Sequence, residues 1–443
     1  MYSYADRYLF QANIRHDGSS RFAKKHRWGT FPSFSAGWVL SEENFMKNLN
    51  WEWLSFLKIR ATWGALGNER IGDFPYMSTI AFGNTIFYQN NGIYFDQTAS
   101  QQKYAIENVT WEKTESTDIG LDISFLNNRL RVNGDYYWKN TKDMLLAMAI
   151  PDFLGFSDPD VNAGKMSTKG YELNVSWNDH IGDFSYGIAI NFSDFTSKMG
   201  DLQGTQFLGD KVKMEGSEFN EWYGYVSDGL FLTEEDLKNS PKINDKNTQL
   251  GDIKYKDISG PDGVPDGKIS PEYDRVLLGS SLPHFLYGGN INLGYKNFDL
   301  SLAFQGVGKQ NARLAREMVE PFRNNYGNFP AIIDGNYWSP YNTDEQNAVA
   351  KYPRLTHVNK SSNYAMSDYW LFNGGYFRLK NITLGYTFPK EWMNAIGIKG
   401  ARIYASASDL FCLSKYPKGW DPEMGVSEYP ITTSILLGVS VNF

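Results

Sequence analysis

Alternation of apolar and polar residues at every second position restricts the fold of this chain more than any other feature, because it marks strands with two unlike faces. Thr117, Ile119, Leu121, Ile123 and Phe125 share one face, while Asp118, Gly120, Asp122 and Ser124 share the other. Beyond Asn127-Asn128, Leu130, Val132, Gly134, Tyr136 and Trp138 alternate with Arg131, Asn133, Asp135, Tyr137 and Lys139, which predicts a hairpin. The pattern returns around Tyr171 to Trp177, Phe184 to Phe192, Phe285 to Tyr295, Phe298 to Phe304, Ile382 to Phe388 and Ile435 to Phe443. About twelve strands are predicted, at 7–16, 33–40, 57–64, 115–125, 129–140, 168–178, 183–194, 284–294, 297–308, 374–388, 400–412 and 431–443. Each runs about ten residues, near the 9–11 that cross a bilayer at a tilt and longer than the roughly 5–6 usual in soluble sheets.

The connections sort into two kinds. Tyr295-Lys296, Asp179 to Gly182 and Leu126 to Asn128 are short, and Ser41 to Phe56 and Pro389 to Lys399 are moderate. Alternating with them are long ones: Ala65 to Thr114, Thr141 to Ser167, Phe195 to Pro283, Lys309 to Asn373 and Leu413 to Pro430. Only Asp17 to Pro32 falls between. Short turns at one end and long loops at the other are the plan of a transmembrane β-barrel, with periplasmic turns and extracellular loops. The expected fold class is therefore all-β, an antiparallel transmembrane β-barrel. A soluble amphipathic sheet shares the alternation but has no reason to keep the asymmetry.

Composition agrees. Hydrophobic residues make up 42% and aromatics 16%, too many for a disordered chain, yet mean hydropathy is -0.46. No run of 18 apolar residues occurs, which excludes a helical span. A lipid-facing surface averaged with a wet lumen and polar loops reconciles these values. Fifty acidic against 43 basic residues argue against a nucleic-acid partner. The lone Cys412 excludes a disulfide framework, and Met1-Tyr2-Ser3-Tyr4 opens without a signal peptide.

Several motifs carry a family resemblance: Arg7-Tyr8-Leu9 through Asp17-Gly18-Ser19-Ser20-Arg21-Phe22, Phe31-Pro32-Ser33, Leu57-Lys58-Ile59-Arg60 to Gly67-Asn68, and Trp111-Glu112 with Gly120-Leu121-Asp122. They continue in Asp135-Tyr136-Tyr137 with Lys139, Asn162-Ala163-Gly164 with Lys169-Gly170, Arg378-Leu379-Lys380-Asn381 and the terminal Phe443. Together they resemble the C-terminal barrel of SusC/RagA TonB-dependent outer-membrane transporters, over essentially the whole of residues 1–443. The resemblance implies a barrel of about 22 strands with a lumen plug, of which this chain supplies the later part, and a location in a Gram-negative type outer membrane. It implies import of oligosaccharides or peptides with a SusD-like surface lipoprotein. It places the signal peptide, plug and TonB box upstream, with Met1 an internal methionine or the edge of an incomplete gene, so that the TonB complex would act through the missing part. Phe443 resembles the aromatic C-terminus read by outer-membrane assembly machinery, although an ordinary strand end would look the same.

Catalytic signatures are absent: no G-x-S-x-G elbow, H-E-x-x-H or P-loop occurs, and His16, His26, His180, His284 and His357 are scattered. No enzymatic activity is expected. Asp118 and Asp122 are expected to line the lumen, and Gly306-Val307-Gly308 to mark a strand-to-loop bend. One segment suggests an ion. Asp257, Asp262, Asp266 and Asp274, interleaved with Gly260, Gly263 and Gly267, resemble an EF-hand-like loop for Ca2+ or Mg2+. The register is imperfect: counted from Asp262, position three is Val264 and position twelve is Tyr273. A solvated Gly/Pro/Asp turn is the alternative. Trp222, Tyr223, Tyr225, Trp338, Tyr341, Tyr364, Trp370 and Trp420 are the aromatics that could stack on a sugar, against the plainer role of packing loops together. The leading expectation is an importer subunit. The alternative is a non-transporting surface binding protein or barrel remnant.

Overall fold

In the computed structural model, described for residues 1–89, 92–101, 104–148, 150–156, 158–202, 204–323, 327–426 and 428–443, thirteen strands form one antiparallel sheet. They are β1 (Tyr2–Tyr4), β2 (Tyr8–Gly18), β3 (Trp28–Val39), β4 (Leu54–Asn68), β5 (Glu112–Phe125), β6 (Leu130–Ala147) and β7 (Asp160–Ile181). They continue as β8 (Phe184–Met199), β9 (His284–Tyr295), β10 (Phe298–Lys309), β11 (Tyr376–Thr387), β12 (Gly400–Ser414) and β13 (Ser434–Asn442). Sheet order equals chain order, so every strand pairs with its sequence neighbours in an up-and-down meander. All twelve predicted strands are present, and Tyr2–Tyr4 is the added one.

The short turns pass through positive φ, for the most part at Asn and Gly, which adopt it readily. Leu126, Asn127 and Asn128 lie at +53°, +59° and +65° between β5 and β6, and Gly182 at +60° between β7 and β8. The two moderate connections hold short helices, Asn44–Asn48 and Lys390–Ala395. Strands lengthen only toward the long connections: β6 runs 18 residues and β7 22, about twice what a bilayer requires.

Burial is inverted relative to a soluble sheet. The apolar face of β5 is open, with Ile119 50% exposed, while Asp118 and Asp122 on the other face are mostly covered. Ile14, Leu384, Leu437 and Val439 are likewise open. This is the arrangement of a membrane barrel, apolar side to lipid and polar side to lumen. Aromatics bracket the open face. On β3, Trp28 and Trp38 share the open face ten positions apart, or about 34 Å of strand. At a tilt of about 45° that spans about 24 Å, the height of the apolar band of outer-membrane barrels.

Two compact units divide the chain, residues 1–175, 195–205 and 214–216 in the first, and 176–194, 206–213 and 217–443 in the second. In the first, Phe22, Phe31, Ile71, Val109 and Trp111 form a small loop core, and the connection between β4 and β5 contains a hairpin, Ile80–Gln89 with Gly92–Gln101, that among the described residues forms a two-stranded sheet of its own. In the second, the connections after β8 and β10 fold on each other around Tyr225, Leu230, Ile253, Tyr255, Ile269, Met318, Val319, Ile333, Tyr364 and Trp370.

Candidate functional site

The polar face of the wall is organised by arginines. On β4, Arg60 reaches Asp135 at 2.7 Å, Asp122 at 3.3 Å and Asp118 at 3.5 Å, and Asn133 donates to Asp122 at 2.8 Å. Its guanidinium passes over Gly120, where a Cβ would collide with it, which explains glycine at that point of the Gly120-Leu121-Asp122 motif. Asp118 and Asp122 therefore serve a cross-strand charge cluster, as their place on the polar face predicts. No arrangement of two free carboxyls about an open space is formed there.

A second cluster depends on irregular pairing. The pairing of β11 with β10 and with β12 shifts register around Lys380, and Asp409 opposite takes φ +50°. These shifts are β-bulges, which re-aim side chains. Arg378, only 3% exposed, meets Asp421 with two bonds of 2.6 Å, Glu423 at 2.7 Å and Asp409 at 3.6 Å, while Lys380 meets Asp409 at 2.7 Å. Asp421 and Glu423 belong to the connection between β12 and β13, so one strand arginine fixes that loop to the wall. Arg378-Leu379-Lys380-Asn381 was visible as a motif, but alternation alone could not show two bulges.

Within the loop core, Asp252 is fully buried and receives five donors. Arg354 donates to both oxygens (2.8 and 3.2 Å), Asn359 and Asn363 donate at 2.8 Å each, and the Gln249 amide at 2.9 Å. A buried carboxylate is tolerated only with this degree of pairing. Trp338 lies against Gly251, whose φ of +84° and lack of a side chain both matter, since a Cβ would enter the indole. Burial pushes the hydroxyls of Tyr255 and Tyr364 well above their ordinary range.

The aromatic candidates divide accordingly. Tyr225, Tyr364 and Trp370 are core residues, and Trp338 and Trp420 pack against that core. Tyr341 is 96% exposed on the rim of a cavity of about 610 Å³ with Trp338, Tyr337 and Arg354. Arg275 stands over Tyr223 at 5.0 Å. Trp222 donates its indole N–H to the Asn311 carbonyl at 2.6 Å and carries Lys211 over its ring at 4.6 Å.

Trp222 also lines a cleft of about 650 Å³ in the second unit, with Lys211, Gln310, Asn311, Arg313 and Tyr416 among its walls. Arg313 pairs with Asp210 and donates to the Tyr364 carbonyl. Arg316 pairs with Glu320 at 2.6 Å, Lys360 reaches the same Glu320 at 3.3 Å, and Arg323 pairs with Glu317. Desolvation lowers the pKa of Lys211.

The four aspartates expected around an ion do not converge. Among the described residues no group of three or more His, Cys, Asp or Glu is placed to hold a metal. Asp274 is fully buried, accepting from the amides of Ile258, Ser259 and Ser270 (2.8, 3.3 and 2.7 Å) and the Ser270 hydroxyl. Asp257 accepts from the Gly267 amide at 2.5 Å, and Asp266 from the Lys268 amide at 3.0 Å. The oxygen donors suit Ca2+ or Mg2+ by type, but amide donors occupy the coordination that an ion would need. Asp257 Oδ1, buried without a partner, is the exception.

A family model described as TonB dependent receptor-like, beta-barrel, matches residues 1–410. TonB-dependent receptor SusC of Bacteroides thetaiotaomicron is 32% identical over 461 residues, covering 100% of this chain and 43% of its own length. TonB-dependent receptor P3 of Formosa agariphila is 31% identical over 446 residues, covering 95% of this chain and 41% of its own. Among solved structures, the RagAB peptide transporter shares the fold with a TM-score of 0.80 at 22% identity, over 100% of this chain and 46% of that one. The chain thus spans less than half the length of the relatives it matches.

Proposed function

Because the chain belongs to the TonB-dependent receptor-like β-barrel family, we propose that it is the barrel portion of an outer-membrane importer for oligosaccharides or peptides. The observation that carries this reading is the inverted burial of the wall strands. Open apolar strand faces require lipid, and the charged opposite faces suit a hydrated lumen. Within the second unit, the connections after β8 and β10 pack into a folded assembly suited to capture of a large solute. Names among the relatives, SusC and the RagAB peptide transporter, support a glycan or peptide cargo and a SusD-like lipoprotein as lid. Sequence outside these 443 residues would supply the plug and the contact with the TonB complex. A cation at Asp257 belongs to this reading only as a stiffener of the loop.

Deletion of the gene in its host, followed by growth on single polysaccharide and peptide sources, tests the proposal. The expected result is loss of growth on one source, reproduced when the TonB motor is depleted. Unimpaired growth on every source, with labelled ligand still bound at the surface of the parent strain, would replace it with the reading of a non-transporting binding protein.

A further inference from the structure

The cleft bearing Lys211 and Trp222 carries more positive charge than its neighbours neutralise. Its lining holds Lys211, Arg313 and Arg316 against Asp210 and Glu317, and ion pairs extend outward to Glu320, Lys360 and Arg323. Arg313 takes Asp210, Arg316 and Lys360 share Glu320, and Arg323 takes Glu317. Lys211 is left without an ion pair among the described residues, and Arg313 Nε is buried without an acceptor. This surplus lies in a chain whose net charge is -7, so composition does not account for it. A desolvated ammonium whose nearest carboxylate, Asp210, is already paired with Arg313 is costly unless a further anion arrives to meet it. The remaining walls narrow the anion's identity. Trp222 and Tyr416 offer flat rings, and Gln310 and Asn311 offer amides that both donate and accept. Rings with amides suit a polyhydroxylated ring whose charge is fixed to it, and the volume lies within the range of small-ligand sites, about 300–1,000 Å³.

We propose that this cleft is a subsite for an acidic sugar, a uronate unit of a glycan cargo, with its carboxylate at Lys211 and Arg313 and its ring against Trp222 and Tyr416. The inference rests on the importer reading and names the cargo class for it. A peptide carboxylate, carried on a flexible chain, is not expected to compete.

Titration calorimetry on the purified full-length receptor tests this with three probes: trigalacturonate, its methyl ester, and a hexapeptide with a free C-terminus. Trigalacturonate is expected to bind about tenfold more tightly than the ester, as one charge-assisted contact allows, and to weaken as salt is raised. Lys211→Gln abolishes the preference for acid over ester, while Lys211→Arg retains it; thermal melts of both variants check that they fold. Equal binding of acid and ester, indifference of trigalacturonate to Lys211→Gln, or preference for the peptide would overturn the subsite. The importer reading fails separately: trigalacturonate would still bind at Lys211 while cells showed no motor-dependent uptake. Motor-dependent uptake of trigalacturonate that is unaffected by Lys211→Gln overturns only the subsite.

Discussion

Arg378 shows how much one side chain can hold. It is nearly buried, and three carboxylates converge on it from β12 and the following loop. Arg378→Met leaves Asp421, Glu423 and Asp409 facing one another in a covered site, at a cost of about 3–5 kcal/mol. The expected readout is local: trypsin cuts first at Lys415 or Lys418 while the strands stay resistant, and simultaneous loss of the wall would count against this assignment. At Asp274 the four donors make a staple within the loop. Asp274→Ala should lower the melting temperature of the loops equally in chelator and in calcium; a loss confined to calcium would support the metal site instead. In sequence, Asp257, Asp262, Asp266 and Asp274 had the right chemistry for a cation. Which donor each oxygen meets depends on loop conformation, and spacing does not carry that.

Among the elements, the strands were the legible part. Lipid on one face and water on the other force a period of two, so β5 and β6 could be read residue by residue. The bulges of β11 and β12 were hidden, because Lys380 fits either phase of the alternation. Deleting Lys380 removes the extra residue that the pairing steps over, so Arg378 should stay on the lumen face opposite Gln305 and lose only its aim at Asp421 and Glu423. Heat-modifiable mobility on gels should be kept while trypsin reaches Lys415 or Lys418 sooner; loss of the mobility would count against the bulge. On β5, Ile119→Arg places a charge on the lipid face, which costs about 2–4 kcal/mol near mid-bilayer and less toward the interface, whereas Ser116→Arg on the lumen face should be tolerated; equal effects would contradict the assignment of faces. The loop core was not legible, since Tyr225, Tyr364 and Trp370 sit in stretches without periodicity and meet across long separations. It has its own pH signature. Burial raises the pKa of Tyr255 and Tyr364, whereas unfolded tyrosines ionise near pH 10. Their stabilising effect is complete below about pH 10 and declines as pH rises beyond it. Loop proteolysis should accelerate in that window before strand signals in circular dichroism change.

For the molecule as a whole, the wall and the loops differ in how far along the chain their contacts reach. Each wall strand pairs with the strand next to it in sequence. Asp252, in contrast, bonds Arg354 and Asn363, which lie 102 and 111 positions away, on the far side of the β9–β10 hairpin. The wall can therefore grow one hairpin at a time, with little loop-closure entropy at each step. The extracellular assembly has to wait for a later event. Until the segment that follows β10 has emerged on the same side of the membrane, Asp252 has only the Gln249 amide of its own loop, and the connection after β8 stays open. Insertion thus comes with its own clock: the loop core takes shape only after the β9–β10 hairpin is in place, and proteases added outside the cell would find the loop before Asn363 only in that interval.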